Sequence, residues 1–369
     1  STRQLQYGSQ AQATRISSGI VNADGVADTV TELLSYNTRG LPTEYTDGNG
    51  ERTIITYDAA GRIIGVMYPN GGEESYAYDS VAGTVTRTDV MNNVFVYKYD
   101  YFGRLIEIYD STTEQTLVSY DYDSFGQKIF EAVHSIDSTK DKITYWEYDE
   151  LGRVTETGSR DSNGVETPLE TYSYQANLGK TTHTILGSDG APDRVETSYV
   201  DNMGNMVNTG RMLNGTEYLD SYEYDHVGNC VKYKSAYTAS VGGSFTQMYE
   251  YDYRGNVLSA ADAEGNVVEN TYDWRGWLTE REDALGNVTS YTYDGLGRLI
   301  KTTSPIDSIT DSVVKYYYDG AGNVTRQLAD SEQKSYISSV VEYDYDSMGD
   351  LVSVRTPLDE SVTYASVYA

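Results

Sequence analysis

The chain has 369 residues, with 37 Tyr, 34 Gly and only 5 Phe, 3 Trp and 6 Pro, and its hydrophobic fraction of 38% includes the tyrosines. Few large aliphatic side chains remain for a thick globular core. A thin, extended sheet fits better, because tyrosine is a strand-former with an apolar ring and a polar tip. The formal net charge of -29 excludes nucleic acid and anionic lipid as partners, since phosphate groups require clustered cations.

The acidic surface has two interpretations. It keeps a large exposed sheet soluble, or it attracts a basic partner or divalent cations. Cys230 is the only cysteine, so the sequence predicts neither a disulfide framework nor a cysteine-based metal site. No stretch approaches the roughly 18 apolar residues of a membrane span. Because the chain begins at Ser1 without a signal-like segment, we expect it to be a processed or excised piece of a longer protein.

A tyrosine–aspartate motif recurs along nearly the whole chain. It consists of Tyr-Asp, two or three variable residues, Gly, and most often Arg or Asn before an aliphatic residue. The clear copies, in chain order, are Tyr57-Asp58…Gly61-Arg62, Tyr99-Asp100…Gly103-Arg104, Tyr122-Asp123…Gly126-Gln127, Tyr148-Asp149…Gly152-Arg153, Tyr224-Asp225…Gly228-Asn229, Tyr251-Asp252…Gly255-Asn256, Tyr272-Asp273…Gly276-Trp277, Tyr293-Asp294…Gly297-Arg298, Tyr318-Asp319…Gly322-Asn323 and Tyr345-Asp346…Gly349-Asp350.

Weaker copies fill the gaps between the clear ones. They are Tyr36-Asn37…Gly40, Tyr78-Asp79…Gly83, Tyr174-Gln175…Gly179 and Tyr199…Asp201…Gly204-Asn205. Together the copies predict about 14 hairpin units of about 24 residues each. We therefore expect residues 1–369 to form a single repeat array without a domain boundary, in which 1–30 and 356–369 are incomplete terminal repeats.

Each unit predicts two strands and two turns. The alternation Tyr-x-Tyr before the motif, as in Tyr120 and Tyr122, places both rings on one sheet face. The motif Asp is expected to accept hydrogen bonds from backbone N–H groups two residues on, and the Gly to supply the left-handed residue of a short hairpin loop. A second set of turns, such as Asn163-Gly164, lies midway between the motif turns. The fold class is all-β: a single-layered, curved β-hairpin solenoid forming a partial shell or spiral.

These residues resemble the RHS/YD-repeat family, which includes bacterial polymorphic toxins, the shell component of insecticidal toxin complexes and the teneurin ectodomain. The resemblance covers about residues 30–355. It implies a hairpin ribbon that spirals into a hollow shell, which encloses a C-terminal toxin or forms part of an adhesion ectodomain. Toxin-bearing members close the shell with a Pro- and Asp-rich segment that releases the cargo by aspartyl autoproteolysis. The sequence lacks that segment, so autoproteolysis is assigned to no residue here.

The predicted length of the ribbon bears on how much of a shell the chain could form. Strands about 4.8 Å apart, two per unit, give about 130 Å along the stacking direction. A wall around a small globular cargo needs a circumference of roughly 120–150 Å. We therefore expect either a fragment of a larger shell or an open array.

Candidate chemistry is sparse. The aspartates recur at every turn, whereas catalysis needs one special site, so we assign them a structural role. His134, His183 and His226 lie in different repeats. His226 and Cys230 could form a nucleophile or metal pair, although a side chain lining the Gly228 turn is the simpler interpretation.

Other site classes are weaker still. The sequence shows no phosphate loop, dinucleotide fingerprint or Ser-His-Asp arrangement, and we expect no cofactor. Asp47-Gly48-Asn49-Gly50-Glu51 carries oxygen ligands like a calcium loop but lacks the full pattern. A ladder of tyrosine rings could bind sugars or could simply pack. An Arg follows the turn glycine at Arg62, Arg104, Arg153 and Arg298. Each could pair with the Asp of a neighbouring repeat, and we expect their main role to be fixing the register between hairpins.

The sequence thus predicts a non-enzymatic structural scaffold, part of an RHS/YD-repeat shell that encloses or presents a secreted effector. The alternative is an extracellular adhesion, filament-forming or carbohydrate-binding repeat protein. Either would be secreted or on the bacterial cell surface. The expected partners are an effector cargo, a surface glycan or further copies joined through the end strands.

Replacing a turn glycine tests the turn assignment. The change Gly297→Val should lower the free energy of unfolding by about 1–3 kcal/mol, because it forces a β-branched residue to positive φ. Thermal denaturation of the two proteins measures this difference. An unchanged melting temperature would mean that the turn has been assigned wrongly.

Overall fold

The structure is a computed structural model that describes residues 3–8, 11–137, 140–188, 190–307, 310–331, 339–359 and 362–367. The predicted all-β class is confirmed, since almost every element is a strand. The chain divides into two compact units. Unit 1 comprises Ser1–Ser75 and Val267–Ala369, and unit 2 comprises Tyr76–Asn266.

The elements follow one another at short intervals along the chain. The strands are β1 (Arg3–Tyr7), β2 (Ala13–Val21), β3 (Ala27–Tyr36), β4 (Pro42–Thr46), β5 (Arg52–Tyr57), β6 (Ile63–Met67), β7 (Glu73–Asp79), β8 (Thr84–Thr88), β9 (Val94–Tyr99), β10 (Leu105–Asp110), β11 (Gln115–Tyr122), β12 (Lys128–Val133), β13 (Lys142–Tyr148), β14 (Val154–Arg160), β15 (Glu166–Gln175), β16 (Lys180–Ile185), β17 (Arg194–Val200), β18 (Met206–Leu213), β19 (Thr216–Tyr224), β20 (Cys230–Lys234), β21 (Gln247–Tyr251), β22 (Val257–Asp262), β23 (Val267–Tyr272), β24 (Leu278–Glu282), β25 (Val288–Tyr293), β26 (Leu299–Pro305), β27 (Asp311–Tyr318), β28 (Val324–Ser331), β29 (Ser339–Tyr345), β30 (Leu351–Asp359) and β31 (Val362–Val367). A 3-10 turn spans Ala176–Leu178 and a short helix, α1, spans Ala236–Ser240.

Consecutive strands pair antiparallel within each unit, so each unit is a ribbon of hairpins. In unit 1, β4 pairs with β5 and β5 with β6; in unit 2, β11 pairs with β12 and β12 with β13. The register shifts beside the motif tyrosine, for example at Tyr57, Tyr122 and Tyr293. This shift is the bulge expected when a type I turn is followed by a glycine at positive φ.

The ribbon is a single layer, as predicted, and therefore has little interior. Among the described residues, the buried apolar side chains are Ala132, Tyr145, Ile300 and Val313, and no large side chain is fully enclosed. Most strand residues are half-buried. Packing between adjacent strands and hydrogen bonds across them, rather than a thick core, therefore hold the fold together.

Helix α1 departs from the repeat, and the sequence analysis did not predict it. Its five residues are too few to show helical periodicity. Ser235 caps the helix, because its hydroxyl accepts a hydrogen bond from the backbone N–H of Thr238 at 3.1 Å. The N–H of Ala236 donates to a carboxylate oxygen of Asp220 at 2.7 Å. These bonds fix the helix against β19.

Within unit 1, two turns distant in the chain lie side by side; we call this the row contact. The Asn49 amide donates to the Asp319 carboxylate at 3.0 Å, and its oxygen accepts from the N–H groups of Gly320 at 2.7 Å and Ala321 at 3.2 Å. A Cβ on Gly48 would lie 2.0 Å from the Gly320 carbonyl oxygen, so only glycine fits there.

A second set of bonds supports the row contact. The carboxylate of Asp24 accepts from the Lys315 ammonium at 2.8 Å and from the Tyr317 hydroxyl at 3.0 Å. The hydrogen bond from Lys315 is the main reason that the pKa of Asp24 lies below its usual range. The bond from Tyr317 lowers this pKa further, and together the two bonds outweigh desolvation, which raises it. The first and last parts of the chain are thereby joined by polar bonds.

Removing the Asn49 side chain should weaken this joint. Asn49→Ala deletes three hydrogen bonds, and we expect a loss of about 1–2 kcal/mol in the free energy of unfolding of unit 1. Chemical denaturation measures the loss. Asn163→Ala is the matched control, because Asn163 holds the same place in a turn headed by Asp161 and is exposed there. Equal losses in both variants would show that the row contact contributes nothing.

Candidate functional site

The motif turn is built around one carboxylate, as in the copy headed by Asp149. One carboxylate oxygen accepts from the backbone N–H groups of Leu151 and Arg153, at 2.9 and 3.0 Å. The other accepts from the Arg153 guanidinium at 2.8 and 2.6 Å. The bond from the Arg153 side chain, followed by that from its backbone N–H, holds the pKa of Asp149 below its usual range. The Asp149 side chain therefore accepts the hydrogen bonds of the loop N–H groups and also holds Arg153, the residue that follows the turn glycine.

The same geometry recurs at all ten clear copies. Each motif Asp accepts from two N–H groups of its own loop; nine use the residues two and four positions on, and Asp319 uses those three and four positions on. The ten motif glycines all lie at positive φ: Gly61, Gly103, Gly126, Gly152, Gly228, Gly255, Gly276, Gly297, Gly322 and Gly349.

Motif tyrosines bond each repeat to the one before it. The Tyr148 hydroxyl donates to the carbonyl oxygen of Lys128 at 2.7 Å, and Lys128 is the second residue after the preceding turn glycine, Gly126. The equivalent bonds are Tyr57–Pro42, Tyr122–Leu105, Tyr224–Met206, Tyr251–Cys230, Tyr318–Leu299 and Tyr345–Val324, with Tyr36–Ala13 and Tyr174–Val154 in weaker copies. We call this the tyrosine bond.

Among the described residues, two clear copies, at Tyr99 and Tyr293, place their tyrosine at the same strand position without a tyrosine bond. Tyr99 is half-buried there. Tyr293 packs its ring against Trp277 at 5.4 Å, because Trp277 replaces the usual Arg or Asn after the preceding glycine.

The suggested pairing of the motif arginines with the Asp of a neighbouring repeat is wrong. Arg62, Arg104, Arg153 and Arg298 all bind the Asp of their own turn, at 2.6–2.7 Å. The free carboxylate oxygen faces residue i+4 across the hairpin, whereas the neighbouring Asp lies two strands away, roughly 10 Å.

Motif arginines reach the next repeat through other groups. The guanidinium of Arg298 lies 4.6 Å from the ring centroid of Tyr318 and donates to the Asp319 carbonyl oxygen at 3.0 Å. Arg104 and Arg153 cover Tyr122 and Tyr174 in the same way, at 4.7 and 4.1 Å. At these three places a cation covers the next tyrosine ring, so the contact between repeats is a cation–π interaction.

The expectation that the chain holds no Ser-His-Asp arrangement is also wrong in three dimensions. His134 contacts the Ser119 hydroxyl at 3.0 Å through Nε2 and the Asp141 carboxylate at 2.9 Å through Nδ1. The backbone N–H of Ser135, followed by His134, lowers the pKa of Asp141. Only the pairing of β11 with β12 brings these residues together, so no local sequence motif could have indicated them.

Among the described residues, the backbone beside this cluster belongs to the sheet. Ser119 is paired with Glu107 on one side and Ala132 on the other, so the backbone around it serves the sheet rather than an oxyanion. The cluster ties the loop that contains Ser135 and Asp141 to strand β11.

The other candidates from the sequence are exposed or bonded to nearby residues of the chain. His226 is exposed in its turn, and the Cys230 thiol donates to the carbonyl oxygen of Lys232 at 3.5 Å. Asp47 uses its carboxylate on the N–H groups of Asn49 and Glu51. Throughout the described part of the chain, no three His, Cys, Asp or Glu side chains gather as a metal site would require.

A polar groove in unit 2 is the feature that sequence reasoning missed most completely. It crosses strands β15 to β19, has a volume of about 690 Å³, and is lined by Tyr172, His183, Glu196, Arg211 and Tyr218 among others. The sequence signal that marks it is the pair of weak motif copies at Tyr174 and Tyr199, which fall in these strands.

The turn, the tyrosine bond and the hairpin ribbon together define a YD-repeat scaffold. Two family models match the chain, "Teneurin YD-shell" over residues 23–142 and "RHS Repeat" over residues 272–305. The resemblance to the RHS/YD-repeat family is thereby confirmed.

Individual relatives agree with this result. The tRNA nuclease WapA of Bacillus subtilis (strain 168) is 26% identical over 322 residues, which cover 85% of this chain and 12% of WapA. The crystal structure of TcdB2-TccC3-TEV matches with a TM-score of 0.57 at 15% identity, covering 96% of this chain and 22% of that one. That of TcdB2-TccC3 gives 0.54 at 14%, covering 95% and 22%. At such identities the structural matches show the fold alone. The chain is therefore similar to a small part of each of these proteins.

The structure also bears on membrane insertion. Among the described residues, no helix combines the length and apolar character needed to cross a bilayer.

The turn carboxylates should make stability depend on pH in a defined direction. In Asp149→Asn the side-chain oxygen still accepts the loop N–H bonds but carries no charge. Because the folded-state pKa of Asp149 is lowered, its contribution is complete above the ordinary aspartate pKa of about 4 and is lost as pH falls through the folded value. We expect wild type to exceed the variant in stability near pH 6, and the gap to close towards about pH 2.

Chemical denaturation across this pH range measures the gap, and comparing two proteins cancels the general effect of acid on the -29 charge. Asp121→Asn, at an exposed strand position, is the control for loss of one charge. A gap between wild type and Asp149→Asn that stays constant with pH would contradict the role assigned to this carboxylate.

Proposed function

We propose that this chain is a wall segment of an RHS-type shell, a non-enzymatic scaffold that encloses or presents a secreted effector. The row contact carries this proposal. A wall of more than one row must seal its rows against each other, and the Gly48–Gly320 approach with the Asn49 bonds provides such a seal.

The character of the ribbon supports the same role. The seal joins residues 270 positions apart in the chain, so the intervening repeats lie between two points that are held together. The sheet is a single layer with few buried side chains, which suits a partition better than a compact domain. Its repeats bond to their neighbours through backbone carbonyls and cations, so the wall continues without a special site in each unit.

The relatives support the toxin context. WapA is named a tRNA nuclease, and this chain matches only a small part of it. By this analogy the repeats are the scaffold of a longer product that carries its activity elsewhere, and the protein is secreted or held at the bacterial surface. The effector is the expected partner. An extracellular adhesion or filament protein is the second candidate, favoured by the polar groove in unit 2.

Protease protection in the full-length gene product tests the proposal. A domain enclosed by the repeats should resist proteinase K while the wall is intact. Gly48→Arg, which places a large side chain in the row contact, should speed cleavage of that domain roughly tenfold or more, because cleavage follows the population of the opened wall.

Asn163→Arg, at an exposed turn of unit 2, should leave the protection unchanged. Two results would contradict the proposal. One is equal cleavage of the domain in wild type and Gly48→Arg. The other is electron microscopy that shows filaments with a one-subunit repeat.

A further inference from the structure

We propose that the polar groove of unit 2 is a binding site for a neutral oligosaccharide. The repeat pattern breaks down at this surface, and the groove is present whether or not the repeats enclose an effector.

One transverse row of side chains forms the groove. Tyr172 is paired with His183, His183 with Glu196, Glu196 with Arg211, and Arg211 with Tyr218, across five consecutive strands. Directly paired residues share a sheet face, so the five side chains line up side by side. The row therefore begins and ends with an aromatic ring and is charged or polar between them.

The aromatic end at Tyr172 is held rigidly. Its ring stacks on His183 with centroids 4.5 Å apart and planes 1° from parallel. The Glu170 carboxylate accepts from the Tyr172 hydroxyl at 2.6 Å and contacts His183 Nε2 at 3.1 Å. Burial, followed by this carboxylate, raises the pKa of Tyr172 to about 12. A flat platform fixed before a ligand arrives loses little entropy on binding.

The opposite end is open to solvent. The Tyr218 side chain is 48% exposed, so its ring is available to a ligand. Arg211 is exposed as well, and its directly paired neighbour Glu196 binds Arg194. The register also places Thr209 opposite Asp220 in the next row on the same face, which adds a hydroxyl and a carboxylate beside the rings.

Two departures from the repeat coincide at this groove. The motif is weak at Tyr174, where a 3-10 turn replaces the usual loop, and at Tyr199. Helix α1 is an insertion whose first N–H binds Asp220 at the groove's edge. In repeat proteins, insertions and lost consensus residues concentrate where a ligand binds.

The chemistry of the lining selects the ligand class. The Glu196 carboxylate binds Arg194, and the Asp220 carboxylate binds the Ala236 N–H and the Tyr233 hydroxyl, which leaves both with further lone pairs that can accept from a ligand. The Arg211 guanidinium donates hydrogen bonds, and the rings provide apolar faces. Alternating hydroxyls and apolar C–H faces of a sugar match this pattern. The groove's carboxylates and the chain's net charge of -29 disfavour an acidic ligand. The volume of about 690 Å³ lies within the roughly 300–1,000 Å³ of small-molecule sites.

Calorimetric titration of the whole chain with cellotriose, maltotriose and chitotriose tests the proposal. We expect at least one trisaccharide to bind. Tyr218→Ala should weaken that binding roughly tenfold or more, about the effect of losing one stacked ring, whereas Tyr218→Phe should keep it. Arg211→Gln should weaken it as well.

Tyr101→Ala is the matched control, because it removes a tyrosine that is 97% exposed in a motif turn outside the groove; it should bind like wild type. The absence of binding to all three trisaccharides would overturn the proposal. So would affinities that are equal in wild type and Tyr218→Ala, or a loss in Tyr101→Ala as large as that in Tyr218→Ala.

Discussion

The tyrosine bond is the interaction on which this ribbon depends. A single-layered sheet has almost no interior, so each hairpin must be positioned by its neighbours. The hydroxyl of Tyr148 meets this need by binding the carbonyl oxygen of Lys128 beyond the preceding turn. That carbonyl is in place only because the turn before it has formed its glycine bulge. Turn chemistry and contact between repeats are therefore parts of one structural unit.

The charged residues of the motif, the turn Asp and the Arg after the turn glycine, also connect the turn with the next repeat. The turn Asp is shared between its own loop and the residue that closes the loop, which leaves the arginine's other face for the next tyrosine ring. Arg104, Arg153 and Arg298 thus bind within their own turn and also contact the next repeat, whereas the motif asparagines bind the Asp of their own turn. This explains why the aspartates recur as turn residues in every clear copy of the motif.

Much of this fold could be predicted from local residues, and the parts that could not depend on register. The turn at Asp149 and Gly152 can be predicted from the sequence, because the hydrogen bonds and the positive φ that form it lie within five consecutive residues. The tyrosine bond spans about twenty residues and requires knowing which strands pair. The contact between Ser119 and His134 can be predicted only if the register of β11 against β12 is known. The contact between Asn49 and Asp319 joins turns 270 residues apart in the chain, so no local pattern indicates it. The arginine partner was mispredicted because the second carboxylate oxygen points across its own hairpin.

The direction of the tyrosine bond gives the array a folding polarity. Each hydroxyl reaches towards the N-terminus, to a carbonyl of a hairpin already synthesised. A new hairpin can therefore dock as soon as it emerges, using its predecessor as a template and needing nothing from its successor. Such vectorial assembly keeps the length of unpaired edge strand to one hairpin at a time, which limits aggregation while a long acidic chain is made or exported.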